Sequence, residues 1–373
     1  MNNRLKKTVS VILFLAISIF ISAQPAVKAP DFKRSNQIFS ESNGNWEATV
    51  EDLNGDSYLD LVITSIGTET AVFFNDGKGL FSKSKQLFQP ELHGIAVGDL
   101  DNDGDKDLFF TALRKNQSSP VYLNDGKGVF QKFNIAAPIE SGEVVKLTDI
   151  DNDGDLDAYL LWGESLYLND GKGNFTKSRT NLPGYNFFDL NGDGFIDNIG
   201  AVPGEGFKIF LNDKKGNFPE YYFLPKKDLS FCYLGFADLD NDKDIDIIFS
   251  NGTDEEIYPA GILLNDGTCR FTDSGQKLSK AAFGYIGTGD LNLDGFIDII
   301  ITDMLNPAKI WMNTGNGKFI DSGITLGEGG FWNNCIVKDF DNDGDLDVFI
   351  TKARDGNCGL WLNQLKENKQ LRK

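Results

Sequence analysis

Short stretches in which large apolar residues alternate with small or polar ones recur along most of the chain. In one of them, Ile95 and Val97 alternate with Ala96 and Gly98. A period of two is typical of β-strands that pack closely on both faces. A second kind of stretch has three apolar residues, then Asn, a glycine-rich turn and Phe, as in VYLNDGKGVF, which ends at Phe130. Because Asn and Gly accept positive φ, this stretch predicts a β-hairpin.

An acidic motif of about a dozen residues lies between these strands and repeats at intervals of 40 to 52 residues. A period near 50 residues indicates a propeller or another repeat array. In each period one strand precedes the acidic motif, one follows it, and two flank the Asn-Gly turn. The sequence therefore predicts an all-β fold, a seven-bladed β-propeller whose acidic loops join the first and second strands of each blade. The motifs start at Asp52, Asp99, Asp149, Asp189, Asp238, Asp290 and Asp339.

The last repeat lacks a fourth strand, because the chain after GLWLNQL has no glycine turn. The missing strand is predicted near the other end of the chain, where Phe32-KRSNQI-Phe39 matches Phe81-SKSKQL-Phe88. We expect residues 32–39 to pair beside Gly359–Leu362 and to close the ring, since an open seam would expose a strand edge. The predicted propeller spans residues 24–364, and residues 365–373 are predicted to form a loose tail.

Residues 1–23 have the pattern of a signal peptide. A basic start is followed by an apolar run and a small residue, Ala23. The apolar run is shorter than the roughly 20 residues that a membrane-spanning helix needs. We therefore expect cleavage after Ala23, no membrane span in the mature chain, and a secreted, periplasmic or cell-surface location.

The charge balance restricts the partners and the chemistry. Lys and Arg number 36 against 55 Asp and Glu, so the net charge of −19 argues against a nucleic-acid partner. His93 is the one histidine, which excludes zinc sites and catalysis that depends on several histidines. The sequence has no G-x-S-x-G, H-E-x-x-H or phosphate-loop motif. We therefore expect a binding protein rather than an enzyme, although a pair among the many carboxylates remains an open alternative.

The acidic loops have the composition of calcium sites. In the loop that starts at Asp99, side-chain oxygens occur at positions 1, 3, 5 and 9, and position 7 can offer its backbone carbonyl. Hard oxygen ligands in a short loop with Gly at position 6 favour calcium over magnesium. An EF-hand needs Glu at position 12, where this loop has Phe110, and helices on either side. Without a cation, up to five carboxylates within nine residues would repel one another strongly.

The seven loops differ at three positions. Position 3 is Asn and position 7 is aromatic in three of them, and Ser57 and Lys243 replace Gly at position 6, where a strained or differently shaped turn is expected. Up to seven calcium ions are predicted. Their ligands are Asp52, Asn54, Asp56, Tyr58 and Asp60; Asp99, Asp101, Asp103, Asp105 and Asp107; Asp149, Asp151, Asp153, Asp155 and Asp157; Asp189, Asn191, Asp193, Phe195 and Asp197; Asp238, Asp240, Asp242, Asp244 and Asp246; Asp290, Asn292, Asp294, Phe296 and Asp298; and Asp339, Asp341, Asp343, Asp345 and Asp347.

The acidic loops and the blade spacing resemble the FG-GAP/VCBS repeat family, whose best-known member is the integrin alpha-subunit head. The resemblance covers roughly residues 32–364. It implies a propeller with calcium in the loop between the first and second strands of a blade. It also implies, for some members, ligand binding on the opposite face, and it implies no single function.

Five aromatic rings are candidates for a ligand site. In the register of the repeat they lie near the start of the first strands, where they could ring one end of the central channel and stack on a sugar or a peptide. Alternatively they plug the channel or pack between blades, which we favour because aromatic side chains commonly fill cores. These residues are Trp46, His93, Tyr233, Tyr285 and Trp332.

The sequence thus favours an exported, calcium-stabilised and monomeric propeller that acts as a binding or adhesion module for an extracellular protein or carbohydrate. The alternatives are an exported polysaccharide-processing enzyme and a purely structural envelope module. Export permits disulfides. A Cys335–Cys358 bridge is possible through a folded-over loop, whereas Cys232 and Cys269 are not expected to pair.

Overall fold

A computed structural model describes residues 27–39, 44–66, 69–135, 137–161, 165–180, 182, 184, 186–253, 255–328, 332–354 and 357–366. Within these ranges, 28 strands form seven four-stranded antiparallel sheets. The prediction of an all-β, seven-bladed propeller is confirmed. The predicted signal peptide, residues 1–23, lies outside the described residues.

Each sheet is one blade, and all but the last are built from four consecutive strands. The first strand of the chain, β1 (Phe32–Arg34), belongs to the last blade. Blade 1 contains β2 (Asn45–Glu51), β3 (Asp60–Ser65), β4 (Ala71–Asn75) and β5 (Phe81–Lys83). Blade 2 contains β6 (Leu92–Gly98), β7 (Asp107–Ala112), β8 (Val121–Asn124) and β9 (Phe130–Lys132). Blade 3 contains β10 (Val145–Thr148), β11 (Asp157–Leu160), β12 (Ser165–Asn169) and β13 (Phe175–Lys177).

The remaining blades follow the same order. Blade 4 contains β14 (Asn186–Phe188), β15 (Asp197–Val202), β16 (Gly206–Leu211) and β17 (Glu220–Pro225). Blade 5 contains β18 (Leu234–Ala237), β19 (Asp246–Phe249), β20 (Gly261–Leu264) and β21 (Thr272–Asp273). Blade 6 contains β22 (Ile286–Gly289), β23 (Asp298–Ile301), β24 (Ala308–Asn313) and β25 (Phe319–Leu326). Blade 7 contains β26 (Trp332–Lys338), β27 (Asp347–Lys352), β28 (Gly359–Asn363) and β1.

The first strands are the innermost ones, because β2 contacts both β6 and β26, and β22 contacts both β18 and β26. They surround the central channel. Since the strands are antiparallel, the acidic loops and the Asn-Gly turns share one face of the ring, called here the loop face. The loops between second and third strands, and the connections between blades, lie on the opposite face.

The core lies between the blades, and the second strands show why. Alternate residues of the fully buried strand β3 point to different neighbours. Leu61 and Ile63 pack in a cluster with Phe349 of blade 7, whereas Val62 packs in a cluster with Leu108 of blade 2. Because both faces are covered, the three side chains from Leu61 to Ile63 are all apolar, and each contributes about 1.5–3 kcal/mol to stability.

The two ends of the described chain meet in blade 7. Strand β1 is antiparallel to β28, with Phe32 opposite Asn363 and Arg34 opposite Trp361. The strand has three residues, not the eight that were predicted, because the chain leaves the sheet edge after the Ser35 N–H donates to the Leu360 carbonyl (2.8 Å).

Residues 35–39, called here the strap, lie between blades 7 and 1. Gln37 accepts a hydrogen bond from the Phe81 N–H (2.7 Å) and donates one to the Gly79 carbonyl (2.6 Å), both in blade 1. On the other side, the Asn357 side chain of blade 7 donates to the Gln37 carbonyl (2.6 Å). Phe39 is 4% exposed and packs among rings of both blades. The strap therefore joins two blades by contacts that a strand at the sheet edge could not make.

Two details differ from expectation. Leu365, predicted to begin a loose tail, is buried, and the Lys366 N–H donates to Asp345 (3.0 Å); residues 367–373 lie outside the described ones. None of the four cysteines, all within the described residues, forms a disulfide, so the structure contains no Cys335–Cys358 bridge, and burial raises the pKa of each thiol to about 12.

In the part of the chain that the structure describes, no helix has the length and apolarity to cross a bilayer.

Candidate metal centres

The acidic loops fold by hydrogen bonds within each motif. In the loop from Asp99, the Asp99 carboxylate accepts from the Gly104 N–H at position 6 (3.0 Å), and Asp103 accepts from the Asp105 N–H (2.9 Å). The same bond to position 1 occurs in all seven loops, as does the bond from position 7 to position 5. The carboxylates at positions 1 and 5 therefore hold the backbone turn.

Two residues of each loop, at positions 4 and 6, have positive φ. Ser57 (φ 71°) and Lys243 (φ 79°) keep the shape that Gly104 (φ 96°) has at position 6, so those turns are strained but not differently shaped. The need for positive φ at position 4 was not recognised from the sequence, although six of the seven loops have Asn or Gly there. The loop from Asp290 has Leu293 there (φ 60°), an uncommon conformation for a branched side chain.

Carboxylates converge in the four loops that carry Asp at every odd position. One oxygen from each of positions 1, 3 and 9 lies within 4.8 Å of the other two. Position 5, also predicted as a ligand, is not part of these groups. They are Asp99, Asp101 and Asp107; Asp149, Asp151 and Asp157; Asp238, Asp240 and Asp246; and Asp339, Asp341 and Asp347.

Several of these oxygens are buried without a hydrogen-bond donor among the described residues. They include one oxygen each of Asp99, Asp101, Asp151, Asp240 and Asp339. A buried carboxylate oxygen that faces other carboxylates is costly unless a cation neutralises it. Burial and the neighbouring negative charges raise the pKa of Asp101, Asp151 and Asp240, which shows the same repulsion. The donor set therefore fits a divalent cation with oxygen ligands.

In the other three loops the residue at position 3 is an amide. The side-chain oxygens of Asn54, Asn191 and Asn292 accept from the N–H of position 5 (2.9–3.0 Å). These loops therefore have fewer carboxylates at the same loop positions. In the first of these loops Tyr58 occupies position 7, and its ring packs against Gly77 of the adjacent turn. Ligation by the carbonyl at position 7 stays a prediction.

The Asp at position 9 opens the second strand of every blade and is completely buried. One of its oxygens accepts from the N–H of position 2, and the other accepts from the N–H of the Asn before the glycine turn, as in Asp107 with Leu100 (2.8 Å) and Asn124 (2.8 Å). Burial is the largest cause of its raised pKa. The value is about 6 for Asp60, Asp197 and Asp246, about 7 for Asp107, Asp157 and Asp298, and about 8 for Asp347.

The Asn before each glycine turn connects neighbouring blades, a role that its sequence pattern did not reveal. The pattern suggested a residue with positive φ, but that conformation belongs to turn glycines such as Gly77 and Gly79. The Asn amide instead donates to the carbonyl at position 2 of the acidic loop in the preceding blade, at 2.8–3.1 Å. The pairs are Asn75–Phe340, Asn124–Leu53, Asn169–Leu100, Asn212–Ile150, Asn265–Leu190, Asn313–Leu239 and Asn363–Leu291.

Four of the five aromatic residues proposed for a ligand site form two ring pairs. Trp46 lies against His93, with ring centroids 4.7 Å apart, and Tyr233 stacks on Tyr285 at 3.9 Å. Trp332 is separate: it is 1% exposed and packs against Trp361 in the core between blades 6 and 7.

Charged groups that the sequence did not single out lie beside these pairs. The His93 ring faces Glu143, with Nδ1 2.8 Å from the Glu143 carbonyl, and burial lowers the pKa of His93. Glu47, next to Trp46, accepts from the Ile95 N–H (3.2 Å). Glu47 is half-buried. Burial raises its pKa to about 7, although the positive charge of Lys146 acts to lower it. The channel end is therefore polar as well as aromatic.

A cleft of about 360 Å³ opens between blades 5 and 6 on the face opposite the acidic loops. Its walls carry Lys280 and Lys309 together with Asp303, whose carboxylate accepts from Leu305 (2.8 Å) and Asn306 (3.0 Å). Two exposed apolar side chains lie close to the cleft. Leu305 is one, and Tyr258 precedes Pro259, which bridges to Lys280.

The fold and the repeated loops define a propeller with an acidic loop in every blade. The model of the FG-GAP-like repeat family matches residues 52–110, 99–160, 189–249 and 290–350, more than half of the chain. The chain belongs to the FG-GAP-like repeat family.

Solved structures are similar to this chain at low identity. Two structures of BBS1N in complex with ARL6DN, soaked with mercury and with lead, have TM-scores of 0.54 and 0.53, 10% identity, and cover 90% of this chain and 96% of that chain. The V. cholerae biofilm matrix protein Bap1 has a TM-score of 0.44 and 11% identity, and covers 84% of this chain and 76% of its own. None of the curated proteins matches the chain.

Proposed function

We propose that the protein is an exported binding module whose acidic loops hold calcium, up to seven ions in all. The observation that carries the metal assignment is the convergence of three carboxylate oxygens within 4.8 Å in four loops, several of them buried without a donor in the described part of the chain. Asp99, Asp101 and Asp107 would hold the ion in blade 2, and equivalent residues would do so in the other blades. The bound ion would supply positive charge that offsets the repulsion between the carboxylates.

Calcium suits these loops better than magnesium. It accepts irregular sets of six to eight oxygens, whereas magnesium requires a strict octahedron and retains several waters. Export supports the assignment, since extracellular modules bind calcium at roughly 10⁻⁴–10⁻³ M, and residues 1–23 have a signal-peptide pattern. We propose a secreted, periplasmic or cell-surface location and a monomer.

The ligand is a carbohydrate or a protein, and we place it in the cleft between blades 5 and 6. The cleft offers hydrogen-bonding side chains such as Lys280 and Asn306, and the exposed ring of Tyr258 is next to Pro259, which bridges to Lys280. A ring beside convergent polar groups suits the apolar face and the hydroxyls of a sugar. Of the nine residues that line the cleft, Asp303 is the one acid, whereas a glycosidase needs two carboxylates. A binding role is therefore favoured over a polysaccharide-processing enzyme.

Metal content tests the first half of the proposal. Protein dialysed to equilibrium against about 1 mM calcium should contain more calcium than the surrounding buffer by elemental analysis, and excess EDTA should remove it and lower the melting temperature. Asp101→Ala should lose about one ion per chain, because it removes a central oxygen of one loop. Asp125→Ala, an exposed acid in the neighbouring turn, is the matched control and should leave the ion count unchanged. If EDTA removes all the calcium and the melting curve stays the same as in calcium, the assignment is refuted.

A glycan array probed in calcium tests the second half. Binding should fall at least tenfold in Tyr258→Ala and in Lys280→Ala. Tyr222→Ala is the control, since Tyr222 is comparably exposed on the outer strand of blade 4. If Tyr222→Ala weakens binding and the two cleft variants do not, the ligand lies elsewhere.

A further inference from the structure

We propose that the central channel contains a separate binding site for a small organic carboxylate with a flat apolar face. This site is distinct from the metal loops and from the cleft between blades 5 and 6, so it goes beyond the proposed function. It lies where the first strands of blades 3, 4, 5 and 6 surround an open space.

The space is a cavity of about 330 Å³. Residues of β10, β14, β18 and β22 line it, and these are the innermost strands of four consecutive blades. A cavity of this size accommodates a small molecule, and side chains from four blades approach it from different directions.

Two residues that line this cavity carry a hydrogen-bond donor with no hydrogen-bond partner among the described residues. Lys146 of β10 lines it and is exposed there, and its ammonium forms no ion pair with the carboxylates of the described residues. The Asn186 side chain of β14 lines it too, and its Nδ2 is buried with no hydrogen-bond partner in the described part of the chain. An ammonium and an amide N–H are donors that together suit a carboxylate.

The same wall carries an aromatic platform. Phe188 of blade 4 stacks on Phe236 of blade 5, with ring centroids 4.2 Å apart and planes inclined by 21°. Phe188 stays 39% exposed although it lies inside the ring of blades. Water alone could satisfy the two donors, but it would leave this ring surface uncovered. A ligand with both a carboxylate and a flat apolar face satisfies both parts of the wall.

The acid that interacts with Lys146 does not cancel its charge. Glu47 of blade 1 attracts Lys146 electrostatically and also interacts with Glu143, but it is not ion-paired with the lysine. Because burial raises the pKa of Glu47 to about 7, this side chain is partly uncharged near neutral pH. Lys146 therefore retains a positive charge that a ligand anion can meet.

Benzoate is a suitable probe, with benzyl alcohol as its neutral analogue and acetate as the analogue without a ring. With the calcium-loaded protein, isothermal titration should show saturable binding of benzoate at one site, at least tenfold tighter than that of either analogue. Lys146→Met should weaken benzoate binding at least tenfold, and Lys146→Arg should retain most of it. Lys208→Met is the matched control, since Lys208 lies on the third strand of blade 4 and pairs with Glu205 outside the channel.

Three outcomes would overturn the site: no saturable benzoate binding to folded protein, benzyl alcohol binding as tightly as benzoate, or equal binding by Lys146→Met and the parent chain. Phe188→Leu gives a second measure, since a less planar side chain should weaken benzoate more than acetate. Calcium content and glycan binding should be unchanged in Lys146→Met. A failure of this site is thereby separated from a failure of the proposed function.

Discussion

The side-chain amide of Asn75 in blade 1 donates a 2.8 Å hydrogen bond to the carbonyl of Phe340 in blade 7, although 265 positions separate the two residues. The backbone N–H of Asn75 donates to Asp60, the buried acid at position 9 of its own loop. The Phe340 N–H in turn donates to Asp347, the equivalent acid of blade 7. Each candidate metal loop is thus bonded to the next blade, and the seven bonds form a continuous ring.

Asn75→Ala should destabilise the protein by about 1–3 kcal/mol, because it leaves the buried Phe340 carbonyl without its donor. Urea unfolding in excess calcium measures the change. Lys78→Ala, in the same turn but exposed, should stay within about 0.5 kcal/mol of the parent. If the two substitutions change the free energy of unfolding equally, the bond between blades contributes no more to stability than an exposed side chain.

Ser57→Gly should stabilise the protein by about 0.5–1 kcal/mol or more, since Ser57 has a φ of 71° that glycine adopts without strain. Lys243→Gly should do the same. Thermal unfolding measures both. Lys78→Gly controls for the added freedom of the unfolded chain, because Lys78 has no positive φ, and it should destabilise instead.

The order in which the loops fill with calcium should follow their carboxylates. The loops from Asp99, Asp149 and Asp339 have three converging carboxylates and Gly at position 6, so they should fill first. The loop from Asp52, with Asn54 and Ser57, should fill later. Crystals grown at limiting calcium would show the order directly, and early occupancy of the loop from Asp52 would contradict it.

Phe39→Ala should cost about 3–5 kcal/mol, because the ring fills the core between blades 7 and 1. Ile38→Ala is an adjacent control: Ile38 is 67% exposed and should change stability little. A chain that begins at Glu41, without β1 and the strap, should be less stable or aggregate through the open edge of β28. Full stability of that shortened chain would disprove the role of the strap.

Glu47 should make the folded state less stable as pH rises. Its pKa is raised from 4.5 to about 7 in the folded protein, so the folded state binds more protons than the unfolded one between these values. The contribution of Glu47 to the free energy of unfolding is therefore highest below pH 4.5 and falls as pH rises to about 7. Channel water screens the effect, so the loss should be about 1–2 kcal/mol.

Denaturant unfolding of Glu47→Gln and of the parent chain, between pH 5 and 8 in excess calcium, isolates this effect. The variant should gain stability relative to the parent as pH rises, because the introduced glutamine does not ionise. The acidic loops are the same in both proteins, so their contributions to the pH dependence cancel in the comparison. Parallel pH profiles would count against a buried, ionising Glu47.

The fold could be predicted from the sequence because each blade repeats one pattern of strand, acidic loop and glycine turn. Ring closure was also visible, since Phe32 to Phe39 copies Phe81 to Phe88. The length of β1 was not, because the same residues pair with β28 for three positions and then hydrogen-bond across two blades. The alternation of residues in a sequence predicts a strand, but it does not predict which groups the backbone of that strand hydrogen-bonds to.

The sites were predictable to different degrees. Acidic positions 1, 3 and 9 came from spacing alone, since ligands of one loop are neighbours in sequence. The Asn bonds between blades were missed because each partner is a backbone carbonyl, which has no sequence signature. The channel site was missed for another reason: Lys146 of blade 3 meets Asn186 and Phe188 of blade 4 only in the folded ring.

The bond between the Gln364 N–H and the Asp31 carbonyl, 2.7 Å long, brings residues near the two ends of the chain together beside the closing strand. A short peptide linker could join these ends covalently, and the chain could then be opened at an exposed turn of another blade. Such a circularly permuted protein would keep all seven Asn bonds and every acidic loop. Cutting it within a blade, so that two segments again share one sheet, should preserve the ring better than cutting it between blades.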